Sequence, residues 1–187
     1  MASSNLDKLI IVDLEATCDD PKPPKFESEV IEIGVAVIDL KKGEVVDKDS
    51  TFITPVKSWI TPFCTQLTTI TAEDVLAKNG ARTFPEAIRW LNKFGPKNKV
   101  WCSWGDYDRT MLERQCRTMH VEYPFGVGHI NVKTMMALLE GLGRGIGAKE
   151  AVEYFGMTWE GQHHRGIDDA CNIGRVMLEL IKRHKQK

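Results

Sequence analysis

The sequence predicts one α/β domain, a mixed five-stranded sheet flanked by helices. Three observations carry this expectation. The chain has 187 residues, 42% of them apolar, which suits one globular unit with a real core. Strand-like segments come first and then alternate with helical ones. No repeat, low-complexity tract or linker interrupts the chain, so the expected domain spans residues 1–187 with a core at about 9–180.

The elements follow in order. Residues 9–15 open with Leu9-Ile10-Ile11-Val12, apolar on both faces as in a central strand. Residues 17–28 form a loop rich in Pro, Lys and Asp. Residues 30–40 are a second strand, Lys41-Lys42-Gly43 a turn, and residues 45–53 a returning third strand. That makes an antiparallel meander. Thr71-Ala72-Glu73-Asp74 reads as a helix start with Thr71 as N-cap. Thr83-Phe84-Pro85-Glu86 starts another helix. Ala87, Ile88, Leu91 and Phe94 follow at helical spacing, and Gly95-Pro96 stops it. Residues 100–104 are a fourth strand. Residues 106–119 are a helix with Met111, Leu112 and Cys116 facing inward, and a short fifth strand lies near 129–132. Helices are expected at 133–140, 149–155 and 166–184.

Bulk properties exclude several functions. Formal net charge is −1, whereas a general nucleic-acid coater would be basic, so any nucleic-acid role must use a local site. The five cysteines form no C-x-x-C pair, so buried, reduced thiols are expected rather than a zinc site or a disulfide framework. No apolar run approaches the ~20 residues needed to cross a bilayer, and no signal-peptide core precedes Leu9. A cytoplasmic or otherwise intracellular protein without a membrane partner is the expectation. Gly143-Arg144-Gly145-Ile146-Gly147-Ala148 fits G-x-G-x-x-A but follows a helical segment, not a strand, so a dinucleotide site is rejected. The basic end, Lys182-Arg183-His184-Lys185-Gln186-Lys187, reads as cation enrichment at a helix C-terminus.

Three acidic clusters stand out. Asp13 and Glu15, at i and i+2 on the first strand, share one face. Buried together they are costly unless a divalent cation relieves them, and oxygen donors suit Mg²⁺ or Mn²⁺. Alone, the pair also fits a solvated strand end. Trp104-Gly105-Asp106-Tyr107-Asp108 lies at a strand-to-helix junction, where an acid can simply cap. His163-His164-Arg165-Gly166-Ile167-Asp168-Asp169 opens the last helix, where acids complement the macrodipole. Each cluster alone has a structural reading. Together they occupy strand ends and helix starts, where sites in α/β sheets gather.

The ordered set Asp13-Leu14-Glu15, Trp104-Gly105-Asp106-Tyr107-Asp108 and His164-Arg165-Gly166-Ile167-Asp168-Asp169 resembles the DEDDh 3′→5′ exonuclease superfamily, whose fold is ribonuclease-H-like. Asp13-Leu14-Glu15-Ala16-Thr17-Cys18 narrows the resemblance to the enhanced-RNAi and histone-mRNA 3′-exonuclease-like family. So do Glu29-Val30-Ile31-Glu32-Ile33-Gly34, Phe63-Cys64 with Leu67-Thr68 and Ile70-Thr71, Ile130-Asn131-Val132-Lys133 and Asp169-Ala170-Cys171-Asn172-Ile173.

The resemblance implies roles. Asp13, Glu15 and Asp169 match direct ligands of two Mg²⁺ or Mn²⁺ ions. Asp108 matches the fourth acid, chosen over Asp106 because Arg109-Thr110-Met111-Leu112 fits the pattern that follows it. His164 matches the general base, five residues before Asp169. His163 has the same spacing to Asp168, and the Gly-Ile-Asp-Asp context favours His164. Leu14, Ala16, Phe63, Leu67 and Thr68 match the pocket for the terminal nucleotide. Apart from the resemblance, Lys22, Lys25, Lys133 and Arg165 read as possible phosphate contacts, although loop lysines are usually just solvated. Where the family often has Leu-Thr-Gly-Ile, this chain has Leu67-Thr68-Thr69-Ile70. The implied activity is two-metal-ion hydrolysis from the 3′-OH end of single-stranded nucleic acid, RNA favoured, releasing 5′-mononucleotides. The alternatives are a DNA 3′-exonuclease and a catalytically silent nucleic-acid-binding module on the same fold.

Overall fold

A computed structural model describes residues 6–24, 26–126 and 128–185, leaving aside the side chain of Asn98. Lys25, named above as a possible phosphate contact, lies outside the described residues, as do residues 1–5 and Gln186-Lys187 of the basic end.

Among the described residues, five strands form one sheet in the order β3-β2-β1-β4-β5. They are β1 (Lys8–Ala16), β2 (Val30–Asp39), β3 (Glu44–Phe52), β4 (Trp101–Ser103) and β5 (His129–Asn131). The expected meander is present: β1 pairs antiparallel with β2, and β2 with β3. On the other side, β4 and β5 add in parallel. Among the described residues, six α-helices accompany the sheet: α1 (Pro62–Thr68), α2 (Phe84–Leu91), α3 (Tyr107–Thr118), α4 (Val132–Leu139), α5 (Ala148–Tyr154) and α6 (Gly166–Lys185).

The two-residue period of β1 sorts the core into two layers. Ile10, Val12, Leu14 and Ala16 pack with Phe84, Ala87 and Leu91 of α2 and Met111, Leu112 and Cys116 of α3. Leu9 and Ile11 point the other way, onto Val132 and Met136 of α4, Ala151 and Val152 of α5, and Ala170, Ile173 and Met177 of α6. Asp13 and Glu15 continue this second set, so they face the helix that carries Asp169. Cys64, Cys102 and Cys116 are buried, Cys18 and Cys171 half-buried, and all five are free thiols, as expected.

Two glycines let α6 reach the sheet. A Cβ on Gly34 would lie 1.9 Å from the carbonyl carbon of Gly166. A Cβ on Gly166 would lie 2.9 Å from the Gly34 nitrogen and 3.1 Å from the Asp13 carbonyl oxygen. With hydrogen at both positions, the helix start rests directly on β1 and β2.

One expectation needs correction. Thr71 and Asp74 do cap each other, since Thr71 N–H and O–H both donate to Asp74 Oδ2 at 2.8 Å. No α-helix follows. The chain makes a turn and then a short 3₁₀ segment, Ala77–Asn79, which Gly80 ends at φ 92°. An α-helix forms earlier instead, as α1. Thr61 Oγ1 accepts from Cys64 N–H at 3.0 Å, and Pro62 takes the first helical position, where its missing N–H costs nothing. The apolar signal of α1 is thin because its buried residues are Cys64 and Thr68. Among the described residues, no helix is long and apolar enough to cross a membrane.

Candidate active site

The end of β1 and the start of α6 converge on three carboxylates. One oxygen each from Asp13, Glu15 and Asp169 lies within 4.8 Å of the others. Asp169 Oδ2 is buried and has no hydrogen-bond partner among the described residues. Asp108, from the first turn of α3, stands outside that trio. It is 5% exposed and accepts the Leu14 backbone N–H at 3.0 Å. Asp106 turns away to pair with Arg109 at 3.0 Å and to accept from Asn131 Nδ2 at 2.8 Å.

The electrostatics are those of a site short of positive charge. Burial, and then the charges of Asp108, Asp169, Glu15 and Glu32, hold the Asp13 carboxyl well above the usual carboxylate range. Burial and the Asp169 charge push Glu15 up to about 8. Burial lifts Asp169 to about 7 against hydrogen bonds that lower it. Asp108 rises to about 6, chiefly by burial, with the Leu14 N–H opposing. Four acids in one place cannot all ionise cheaply without a cation. A hard divalent ion fits the donor set, which is all oxygen.

Glu32 organises the site from behind. It is fully buried in β2, opposite Glu15 in the strand register. Its carboxylate accepts the Gly166 N–H at 3.0 Å and the Arg165 Nε–H at 3.2 Å. Arg165 also lies over the Phe52 ring, 5.1 Å from its centroid. The pair fixes the start of α6, whose first turn presents Asp169. Sequence reasoning gave Glu32 no role. The available signal was an acid inside a strand whose ten residues are all buried.

Both histidines reach the cavity in front of the acids. His163 Nε2 is 3.8 Å from Asp169 Oδ1, and Trp159 stacks edge-on against His163. His164 adopts a left-handed backbone with φ 62°, and the two imidazole rings are 4.0 Å apart. Burial lowers both imidazoles below their ordinary value, which favours the neutral form.

The cavity measures about 460 Å³. Leu14, Ala16 and Leu67 line it. Phe63 and Thr68 are not among the lining residues. The Thr68 hydroxyl is engaged locally, donating to Cys64 O at 2.8 Å and accepting Ile70 N–H at 3.1 Å. Thr69 caps α1 in the left-handed region, φ 62°, which is strained for a β-branched residue. Sequence reasoning assigned no site role to Cys18, Trp104, Tyr107, Gly147 and Ala148, which also line the cavity. Tyr107 is the legible one, an aromatic 56% exposed between two motif acids. A second cavity, about 410 Å³, lies between α3 and the segments at 27–29 and 56–57. Its glutamates are already engaged: Glu29 by the N–H groups of Val56, Lys57 and Ser58, and Glu27 by Lys57 at 3.8 Å.

The family profile described as exonuclease (RNase_T) matches residues 10–177. The human 3′-5′ exoribonuclease 1 is 30% identical over 97% of this chain and 54% of its own length. The probable 3′-5′ exonuclease KapD of Bacillus subtilis (strain 168) is 31% identical over 95% of this chain and 86% of its own. The chain thus spans about half the length of the human relative. Among solved structures, the nuclease domain of 3′hExo, a DEDDh family member bound to rAMP, superposes with a TM-score of 0.84. It is 26% identical, over 97% of this chain and 95% of that one.

Proposed function

Because the chain belongs to the DEDDh branch of the exonuclease family, we propose that it removes nucleotides one at a time from the 3′-OH end of single-stranded RNA. The observation that carries this is the trio Asp13, Glu15 and Asp169, its oxygens within 4.8 Å at the mouth of a cavity, with one Asp169 oxygen buried and unpartnered. The family is dependent on divalent metal. We assign Asp13, Glu15 and Asp169 as direct ligands and Asp108 as the acid that supports a second ion. Two Mg²⁺ or Mn²⁺ ions there would offset the negative charge that builds on the attacking and leaving oxygens.

The remaining chemistry belongs to the side chains. His164, neutral because its pKa is lowered by burial, accepts a proton from the attacking water. The water oxygen bonds to phosphorus, the bond from phosphorus to the upstream 3′ oxygen breaks, and that oxygen takes a proton. The products are a 5′-mononucleotide and a strand one nucleotide shorter with a new 3′-OH. Leu14, Ala16 and Leu67, which line the cavity, hold the terminal base. RNA is favoured over DNA because the human relative is named an exoribonuclease and the 3′hExo nuclease domain was solved with rAMP. An intracellular place of action suits such a substrate and the free thiols.

The test is incubation of 5′-end-labelled single-stranded RNA and DNA with Mg²⁺ or Mn²⁺, with and without a chelator, followed by product sizing. Stepwise, chelator-sensitive shortening of RNA ahead of DNA supports the proposal. Equal rates on both, or faster DNA shortening, favour a DNA exonuclease. Tight strand binding without hydrolysis favours the silent module.

A further inference from the structure

We propose that Lys133 in the first turn of α4, Arg144 on the segment joining α4 to α5, and Lys149 in the first turn of α5 form a rail for the internucleotide phosphates of the strand upstream of the bond being cut. The inference rests on the exonuclease reading above and extends it to how the strand is held.

A polyanion must approach a cavity walled by four carboxylates, on a protein whose net charge is −1. Attraction has to come from cations at the rim. Arg165 and Arg109, which flank the motif acids in sequence, are committed elsewhere, Arg165 to Glu32 at 3.2 Å and Arg109 to Asp106 at 3.0 Å. Lys133, Arg144 and Lys149 differ. Among the described residues, none of the three has an acid within 4.0 Å.

Lys149 adjoins the cavity, and the Lys133 stem packs on Gly145, the neighbour of Arg144. Gly147 and Ala148 line the cavity, and Lys149 is the next residue. The segment is anchored to the strand ends that carry the site. Trp104 Nε1–H donates to Ile146 O at 3.1 Å. Asn131, at the end of β5, accepts Thr134 N–H at 2.9 Å to start α4 and donates to Asp106. The Lys133 stem lies along the connecting backbone, because a Cβ on Gly145 would come within 2.7 Å of its Cγ and 2.8 Å of its Cε. Glu150, the nearby acid, is turned to the Gly147 N–H at 3.4 Å. Point charges of this kind hold phosphates and read no bases, so the rail should be indifferent to sequence.

The experiment compares wild type with the Lys133→Ala/Arg144→Ala/Lys149→Ala variant. Binding is followed by anisotropy of a 5′-fluorescein single-stranded RNA of ten nucleotides, with Ca²⁺ in place of Mg²⁺, across about 50–200 mM salt. Turnover is followed separately on a dinucleotide with Mg²⁺. The expected result is binding weaker by on the order of tenfold. The slope of log affinity against log salt should flatten by about 2, at roughly 0.7 per lost phosphate contact. Dinucleotide turnover should stay within about twofold, because that substrate has no upstream phosphates to lose. Lys133→Arg/Lys149→Arg should bind as wild type does. Unchanged affinity and slope in the alanine variant overturn the rail, and so does an equal loss on the dinucleotide. If the wild type binds the strand through these residues yet cleaves neither substrate, the rail stands and the exonuclease reading falls.

Discussion

Asp13 and Glu15 share a face because β1 alternates, and that face meets α6 because Leu9 and Ile11 pack there. Asp13→Asn removes one charge without changing volume in a cluster already short of counter-charge. Turnover is expected to fall below detection while the far-UV circular dichroism stays that of the wild type; a folded variant with wild-type rates contradicts the ligand assignment. The histidines give a sharper test, since both line the cavity and His163 is the one 3.8 Å from Asp169. If His164 is the base, His164→Ala lowers turnover by ~10²–10⁴ and His163→Ala is mild. Wild-type activity should rise with pH through a value below the ordinary imidazole range, because burial lowers that pKa and the neutral form is the active one. A crippled His163 variant beside a near-normal His164 variant reverses the register. At this scale, the motif acids and histidines were legible because their residue types and spacing are set by chemistry. Glu32 was not, because its work is done through the Gly166 N–H, a partner 134 residues away.

At the scale of elements, the site depends on how closely α6 can approach the sheet. Gly34→Ala would place a methyl group 1.9 Å from backbone, where no rotamer change relieves the clash. The expected loss is about 3 kcal/mol, the upper end for overpacking, read from urea denaturation, with a fall in activity as Asp169 is displaced. An unchanged midpoint and full activity would mean the contact between Gly34 and Gly166 is looser than described. The long helices and the meander were legible from periodicity, and α2 from its capping box at Thr83 and Glu86. The failures came at short elements. Thr71 and Asp74 carry a genuine cap, but the turn ahead of Gly80 leaves no room to propagate a helix. The start of α1 depends on Thr61, whose hydroxyl also donates to Cys18 O at 2.6 Å, a tertiary contact that local pattern does not announce.

For the whole molecule, the site links stability to pH and metal. Glu15 and Asp169 bind protons up to about 8 and about 7 in the fold, whereas in the unfolded chain they release them in the ordinary carboxylate range. The folded, metal-free protein therefore holds more protons, and their contribution to stability falls as pH rises from about 5 to 8. Metal-free protein should melt at a lower temperature at pH 8 than at pH 5.5, and Glu15→Gln should flatten that dependence. Divalent metal, which competes with those protons, should raise the melting temperature more at pH 8. Equal metal-induced shifts at both pH values would contradict the linkage. The sheet's overall plan was legible because strands preceded helices in the chain. The pairing of β4 with β1 was not, since only two residue pairs, Ile10 with Trp101 and Ile11 with Cys102, define it.

The central claim, hydrolysis from a free 3′-OH end by this acid set, is tested most directly by end-group dependence. One single-stranded RNA is prepared with a 3′-OH, with a 3′-phosphate and as a closed circle, and each is incubated with protein and Mg²⁺. The expected result is a ladder shortening from the 3′-OH strand with 5′-mononucleotides as product, strong slowing by the 3′-phosphate, and an intact circle. Cutting of the circle at a rate comparable to the 3′-OH strand would contradict the account.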